Sequence, residues 1–95
     1  MPYFTYIISN YTHSTIYTGV TNNLERRLYE HKHGLLDNSF SKQYKLYKLL
    51  WFQEFSDVND AITAEKKVKG WSRKKKIDLI KELNPGMKDI GAASA

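Results

Sequence analysis

The sequence predicts an α+β domain in which a three-stranded antiparallel sheet is flanked by helices, in the order β-β-α-β-α-α. Three observations support this prediction. Two short β-prone segments are joined by a polar turn, a compact apolar run follows further along the chain, and three segments place apolar residues at helical spacing. At 95 residues the chain has room for one hydrophobic core.

The strands are predicted from residue type and alternation. Residues 3–9 alternate aromatic and β-branched side chains, and residues 15–18 are again β-prone, with the polar segment 10–14 between them. This arrangement is typical of an antiparallel hairpin. The apolar run over residues 49–55 predicts the third strand.

The helices are predicted over residues 24–33, 58–69 and 73–83. Each follows a short polar side chain that can accept a hydrogen bond from the first turn of a helix. These predicted caps are Asn22 or Asn23, Asp57 and Ser72. Gly34 is suited to end the first helix.

Two stretches lack a regular pattern. Residues 35–47 mix polar, basic and aromatic types without a period, and we expect a loop there. Asn84-Pro85-Gly86 ends the last helix. We therefore expect one domain over residues 1–86 and a flexible C-terminal tail over residues 87–95.

Composition restricts the possible functions. Lys and Arg number 15 against 10 Asp and Glu, and the resulting net charge of +5 favours an acidic partner such as nucleic acid. The absence of Cys excludes disulfides and thiolate chemistry and fits a reducing, cytoplasmic location. The sequence has neither an apolar run long enough to cross a membrane nor an export signal pattern, so we expect no membrane partner.

The first helix carries polar residues on an otherwise apolar face. Steps of three and four residues place on one side Leu24, Arg27, Leu28 and His31. A cation at the edge of a core needs a carboxylate, a phosphate or a path to solvent. Arg27 is therefore either a phosphate-binding residue or a side chain that passes over the leucines to reach water.

The second helix shows the opposite charge in the same setting. Its predicted buried stripe consists of Val58, Ala61, Ile62 and Val68. Glu65 lies within this stripe, and carboxylates are rarely buried without a partner. It is paired with Arg27, placed at the margin of the stripe, or a ligand for a hard divalent cation.

Two tyrosines of the predicted hairpin are further candidates. Tyr6 and Tyr17 are on its two strands, where they are possible cross-strand neighbours with hydroxyls directed at one patch. They either fill the core or belong to a site. Gly19 allows close approach of another backbone or of a ligand.

Together these residues resemble a known family. The pattern consists of Thr5-Tyr6-Ile7, Tyr17-Thr18-Gly19, residues 21–28, His31, Ala64-Glu65-Lys66 and Lys69-Gly70-Trp71-Ser72-Arg73. It resembles the GIY-YIG nuclease superfamily over roughly residues 3–85, and it is most similar to small stand-alone bacterial members. Relatives include the N-terminal incision domain of bacterial excision repair, some homing endonucleases and some restriction enzymes.

The resemblance implies the GIY-YIG fold and a metal-dependent endonuclease that hydrolyses DNA phosphodiester bonds. It implies a role in DNA repair or recombination, one divalent cation (Mg²⁺ or Mn²⁺) and no small-molecule cofactor. Because we expect one domain, with no second domain for target choice, intrinsic sequence specificity should be low or supplied in trans. Carried over by position, the catalytic residues are Tyr6, Tyr17, Arg27, His31 and Glu65, with Glu65 as the metal ligand. Which of these residues acts as the general base is left open.

The chain departs from the family pattern at two positions. Thr5 replaces a glycine and Thr18 replaces an isoleucine, and neither change removes a functional group. Asn84 corresponds only loosely in spacing to a late asparagine of some relatives.

Six cationic residues are expected to contact the DNA backbone. They are Lys42, Lys45, Lys48, Lys69, Arg73 and Lys74. For the run that begins at Arg73, an exposed first helical turn is the alternative. Trp71 is interpreted as a packing anchor, and His13 and His33 as surface residues.

Two other functions are compatible with the sequence. One is a non-catalytic nucleic-acid-binding module of the same fold. The other is a protein-interaction module with a basic surface, which predicts no DNA binding even at low salt.

Overall fold

The computed structural model describes residues 2–35 and 45–91. Along the chain, its elements are β1 (Tyr3–Ser9), β2 (Ile16–Thr21), α1 (Leu24–Lys32), β3 (Lys48–Phe55), α2 (Val58–Lys69) and α3 (Arg73–Leu83). The predicted order β-β-α-β-α-α is confirmed. None of the helices in these two ranges is long and apolar enough to span a membrane.

The predicted helix caps are confirmed. The side chains that accept a hydrogen bond from a backbone amide of the first turn are those of Asn23, Asp57 and Ser72. α1 ends at Lys32, and Gly34 follows with a φ of 64°, the left-handed conformation that glycine adopts readily. Most of the predicted loop 35–47 lies outside the described residues.

The first hairpin turn is longer than predicted, and β2 begins at Ile16 and continues to Thr21. Thr15 belongs to the turn because its amide donates to the side chain of Asn10 at 3.1 Å and its carbonyl accepts from the Asn10 amide at 3.3 Å. The sheet order is β2-β1-β3, and both pairings are antiparallel.

The central strand β1 is buried on both faces from Thr5 to Ser9. Because side chains alternate along a strand, Tyr6 and Ile8 face one side of the sheet and Ile7 the other. The first side packs against Leu24 and Leu28 of α1. The second side packs against α2 and α3, so the sheet is the middle of three layers.

The buried face of α2 differs from the prediction at one position. Ala61 and Val68 are buried, whereas Ile62 is 37% exposed. The stripe follows positions 58, 61, 65 and 68, which leaves Ile62 at its margin and Glu65 on its line. The side chain of Glu65 is accordingly 20% exposed.

Residues 87–91 correct the expectation of a flexible tail that starts after residue 86. Met87 is buried, the Ile90 amide donates to the Leu49 carbonyl at 2.9 Å, and the Leu49 amide donates to the Asp89 carboxylate at 3.1 Å. β3 is an edge strand with backbone groups that need partners, and this segment supplies them. Residues 92–95 lie outside the described part of the chain.

Candidate active site

Tyr6 is the buried centre of the site. Its partner across the hairpin is Gly19, while Tyr17 pairs with Ile8. The two tyrosines are therefore diagonal rather than direct neighbours, with ring centroids 6.5 Å apart. A Cβ atom at Gly19 would lie 2.6 Å from the Tyr6 hydroxyl oxygen. The group that closely approaches Gly19 is thus the Tyr6 side chain, rather than the backbone or ligand that the sequence predicted.

His31 of α1 joins the two tyrosines. It is buried, and its Nε2 lies 2.9 Å from the Tyr6 hydroxyl. Its ring centroid lies 5.9 Å from that of Tyr6 and 5.7 Å from that of Tyr17. Its Nδ1 atom is buried and has no hydrogen-bond partner among the described residues. The three rings form one cluster on the α1 side of the sheet.

Burial sets the protonation of this cluster. It raises the pKa of Tyr6, and the negative potential of Tyr17 adds to that effect, while the charge and hydrogen bond of Arg27 oppose it. Burial also lowers the pKa of His31 to about 4, with a smaller contribution from Arg27 and an opposing one from Glu30. At neutral pH Tyr6 is a phenol and His31 is an uncharged imidazole.

Arg27 has a partner that the sequence analysis did not identify. Its Nε lies 3.2 Å from Glu30 Oε1, and both atoms are buried, so they pair by charge without hydrogen-bond geometry. Arg26 lies 3.9 Å from the same carboxylate oxygen. The spacing of three residues in a helix was the available signal for the Arg27–Glu30 pair. The Arg27 side chain is 30% exposed, so it can also reach a ligand from solvent.

Glu65 approaches the cluster from α2 through Lys69. Its Oε2 lies 3.4 Å from Lys69 Nζ, which in turn lies 5.5 Å from the centre of the Tyr17 ring. Glu65 is thus paired with Lys69, and the alternative pair with Arg27 is not the one observed. Tyr17 contacts both His31 of α1 and Lys69 of α2, so it connects the candidate site residues of the two helices.

The ligands around Glu65 suit a cation that takes only part of its coordination shell from the protein. Within residues 2–35 and 45–91, no group of three or more His, Asp and Glu is placed to hold a metal ion. Glu65 nevertheless offers a half-buried carboxylate, a ligand type that Mg²⁺ and Mn²⁺ accept. These cations often retain water and bind substrate phosphate, so one carboxylate fits the metal-binding role that the resemblance implies for Glu65.

Comparison with known proteins identifies the family. The model of the GIY-YIG catalytic domain matches residues 2–78, which is most of the chain. The chain belongs to the GIY-YIG family. It is 35% identical over 71 residues to a UPF0213 protein of Syntrophus aciditrophicus, covering 75% of this chain and 80% of that one. It is 33% identical over 66 residues to a UPF0213 protein of Clostridium perfringens, covering 70% of each.

A solved structure has the same fold. The solution NMR structure of a UPF0213 protein from Bacillus halodurans superposes with a TM-score of 0.54 at 25% identity. The match covers 88% of this chain and 87% of that protein. The likeness to this structure and the family match confirm the predicted α+β architecture.

Thr5, which replaces the glycine of the first family motif, has a structural role. Thr5 is fully buried, and its hydroxyl donates to the Ala61 carbonyl of α2 at 2.7 Å. Thr5 points away from Tyr6 because successive strand residues face opposite sides. The replacement of the family glycine therefore joins the sheet to α2 without entering the tyrosine cluster.

The predicted DNA-contacting cations have different environments. Lys42 lies outside the described residues, and Lys45 is exposed with a φ of 55°. Lys48 Nζ lies 2.8 Å from Nε2 of His13, a half-buried residue of the hairpin turn. Burial and the charge of Lys48 lower the pKa of His13. Lys74 pairs with Asp78 at 3.1 Å.

Arg73 is held by the first hairpin turn, where it donates to the backbone carbonyls of His13 and Ser14. Trp71 packs against the core cluster of the α2 side, and Lys75 Nζ lies 4.4 Å from the centre of its ring. His33 is exposed. A contact of Arg73 with DNA remains a prediction, and it requires that the backbone carbonyls leave some guanidinium donors free.

The Asn84 side chain makes three hydrogen bonds to the backbone around it. It is buried, its amide nitrogen donates to the carbonyls of Leu50 at 3.0 Å and Lys88 at 2.8 Å, and its oxygen accepts from the Lys88 amide at 3.1 Å. These bonds hold the segment after α3 against β3. Asn84 thus has a structural function that does not depend on a ligand.

Proposed function

We propose that this protein is a metal-dependent endonuclease that hydrolyses DNA phosphodiester bonds with low intrinsic sequence specificity. The observation that carries the proposal is the contact of Tyr17 with both halves of the site. On one side is the Tyr6–His31 hydrogen bond of 2.9 Å, and on the other is Lys69 bound to Glu65. This chain of contacts, from His31 through Tyr17 and Lys69 to Glu65, supports a single site built from both helices.

Arg27 is proposed to bind the scissile phosphate. Its guanidinium is positioned by Glu30 through Nε and by the hydrogen bond to Tyr6, and its remaining terminal N–H groups would bind non-bridging phosphate oxygens. The planar fork of donors suits such oxygens, and its charge stabilises the additional negative charge of the transition state.

His31 and Tyr6 are proposed to remove the proton from the attacking water. The water passes a proton to the Tyr6 oxygen while the Tyr6 hydroxyl proton moves to Nε2 of His31, which becomes an imidazolium. The water oxygen forms a bond to phosphorus, the bond to the leaving 3′ oxygen breaks, and that oxygen keeps the electron pair and takes a proton from solvent. The uncharged state of His31 supports this role, and an anionic phosphate nearby favours the charged imidazolium.

Tyr17 and Glu65 complete the proposed site. Tyr17 is half-buried beside His31, where its hydroxyl would orient the water. Glu65 would hold Mg²⁺ or Mn²⁺, and such a cation supplies Lewis-acid stabilisation of the phosphate and of the leaving oxygen when it is bound.

We also propose that the DNA backbone is bound through the basic surface, in a cytoplasmic protein of DNA repair or recombination. The net charge of +5 supports backbone binding, since Lys and Arg that neutralise phosphates give affinity without sequence preference. The family match supports DNA as the polymer.

Nicking of supercoiled plasmid in the presence of Mn²⁺ or Mg²⁺ tests the proposal. We expect cleavage by the wild type and its loss with EDTA, in Glu65→Gln and in Arg27→Ala. Lys67→Met is the control, because Lys67 lies on the exposed side of α2 near Trp71 and away from the proposed site. Circular dichroism establishes that each variant is folded.

Two results would favour the other functions. DNA binding with equal, background-level nicking by the wild type and Glu65→Gln would indicate a non-catalytic binding module. Absence of DNA binding even at low salt would indicate a protein-interaction module.

A further inference from the structure

We infer that Lys69 couples metal binding to DNA binding: its ammonium group competes with the divalent cation for Glu65 in the free protein, and a DNA phosphate draws it away. This inference rests on the proposed function, because it concerns the same carboxylate. It adds a regulatory property, namely that the free protein binds the cation weakly and the DNA-bound protein binds it more tightly.

The contacts of Lys69 are the basis of the inference. Its Nζ lies 3.4 Å from the Glu65 carboxylate and 5.5 Å from the centre of the Tyr17 ring. The ammonium thus neutralises the same carboxylate that is proposed as the metal ligand. It does so at the point where the two halves of the site meet.

Exposure identifies Lys69 as the partner that can move. The Lys69 side chain is 47% exposed, whereas that of Glu65 is 20% exposed and lies on the buried stripe of α2. An ion pair with one largely solvated member is weak and is exchanged easily for another. Lys69 has a long flexible stem, so its ammonium can reach a new acceptor without movement of α2.

A cation at Glu65 has to overcome this ammonium. Among the described residues no group of three or more His, Asp and Glu is placed to hold a metal ion, so Glu65 belongs to no carboxylate cluster of that size that would offset the ammonium charge. Displacement of the ion pair and repulsion by the ammonium both weaken metal binding, together by roughly three- to tenfold.

A DNA phosphate reverses this effect. Lys69 can exchange Glu65 for a phosphate oxygen, and Glu65 then lacks a counter-ion and attracts the divalent cation more strongly. Because such coupling is reciprocal, the cation must also increase the affinity for DNA. Metal and DNA therefore bind cooperatively.

The alternative is that Lys69 only stabilises α2. An ion pair four residues apart in the last helical turn contributes a small amount of stability and leaves metal affinity unchanged. Lys67 provides the matched control for charge. It is on the same helix, it is exposed, and its Nζ lies 6.0 Å from the centre of the Trp71 ring rather than near Glu65.

The test is a titration of the DNA-free protein with Mn²⁺, in which electron paramagnetic resonance measures the concentration of free Mn²⁺. We expect Lys69→Met to bind Mn²⁺ roughly three- to tenfold more tightly than the wild type, and Lys67→Met to bind it within about twofold of the wild type. Lys69→Arg keeps the charge and is expected to bind no more tightly than the wild type. In EDTA, Lys69→Met should bind a fluorescein-labelled duplex more weakly than the wild type.

The outcomes separate the inference from the proposed function. Equal Mn²⁺ affinity of Lys69→Met and wild type overturns the inference, as does an equal increase in Lys67→Met, which would reflect net charge alone. In either case the nuclease stands if the wild type nicks DNA and Glu65→Gln does not. Wild-type Mn²⁺ affinity and nicking in Glu65→Gln would instead overturn the proposed function itself.

Discussion

The Tyr6 hydroxyl and His31 Nε2 lie 2.9 Å apart in a buried hydrogen bond between residues separated by 25 positions in the sequence. The bond fixes a strand residue against a helix residue at the centre of the site. Burial moves the pKa of each group away from neutrality, so both are uncharged at pH 7. A small change in the space around this pair is therefore expected to affect the proposed nuclease activity.

Gly19→Ala is expected to displace Tyr6. The new Cβ would lie 2.6 Å from the Tyr6 hydroxyl oxygen, so the phenol must move away from His31. We expect a loss of about 1–3 kcal/mol in the free energy of unfolding, typical of overpacking, and at least a tenfold loss of nicking activity (an order-of-magnitude estimate). Urea denaturation followed by Trp fluorescence and plasmid nicking measure the two effects.

Gly70→Ala is the control for this substitution. Its Cβ would lie 3.6 Å from the Lys67 carbonyl, an ordinary contact, and Gly70 has a helical φ of −78°. We expect stability and nicking close to those of the wild type. Equal losses in both variants would contradict the specific contact between Gly19 and Tyr6.

His31 is expected to make stability depend on pH. Its pKa is about 4 in the folded protein and about 6.5 in the unfolded chain, so the unfolded state binds the proton first. The contribution of His31 to the free energy of unfolding is fully present above about pH 6.5. It decreases as the pH falls towards about 4, in total by up to about 3 kcal/mol.

The comparison of wild type with His31→Gln isolates this effect. Urea denaturation between about pH 4.5 and pH 7 should show a steeper loss of stability for the wild type than for His31→Gln. His33→Gln, in which an exposed histidine is changed, should retain the wild-type slope. Parallel curves for wild type and His31→Gln would show that His31 is not held neutral by burial.

Thr5→Val is expected to weaken the contact between β1 and α2. It removes the buried hydrogen bond of 2.7 Å to the Ala61 carbonyl and places a methyl group against that oxygen. We expect a loss of about 1–2 kcal/mol in the free energy of unfolding. Thr63→Val removes an exposed hydrogen bond of the same type, to the Asn59 carbonyl, and should cost much less. Equal effects in chemical denaturation would contradict a role for burial.

Glu30 is expected to act as a positioning residue for Arg27. Glu30→Gln removes the charge that lies 3.2 Å from Arg27 Nε, so the guanidinium becomes less well oriented. It also removes a negative charge beside the proposed phosphate site. We expect kcat to fall by about tenfold while KM for DNA stays the same or decreases.

Glu25→Gln on the exposed first turn of α1 makes the same change of charge without contacting Arg27. Its kcat should equal that of the wild type. An increase in KM with unchanged kcat in Glu30→Gln would show that Glu30 serves DNA binding rather than orientation.

The elements of the fold were predictable because local chemistry determines them. Asn23, Asp57 and Ser72 could each be assigned as caps from residue type and the apolar pattern that follows. The Tyr6–Gly19 pairing was not predictable, since it depends on where the hairpin turn ends, and Thr15 proved to belong to the turn. One residue more in a turn shifts every pair in the hairpin.

The candidate site residues were predicted from the resemblance, whereas their partners in the fold required the structure. Glu30 is one of two acidic residues near Arg27 in the sequence, the other being Glu25, and side-chain direction decides which of them pairs with Arg27. Ile90 packs on β3 through a contact with Leu49, which lies about 40 positions earlier in the sequence. The local sequence pattern contains no information about such a long-range contact.

The pairing of Ile90 with Leu49 has a practical consequence for any shortened version of this chain. A chain cut after residue 86 would leave the start of β3 as an open template for strand addition by other molecules. Such a protein is expected to self-associate through that edge, and its loss of nicking would then report aggregation rather than chemistry. Expression boundaries should therefore keep every residue through Gly91.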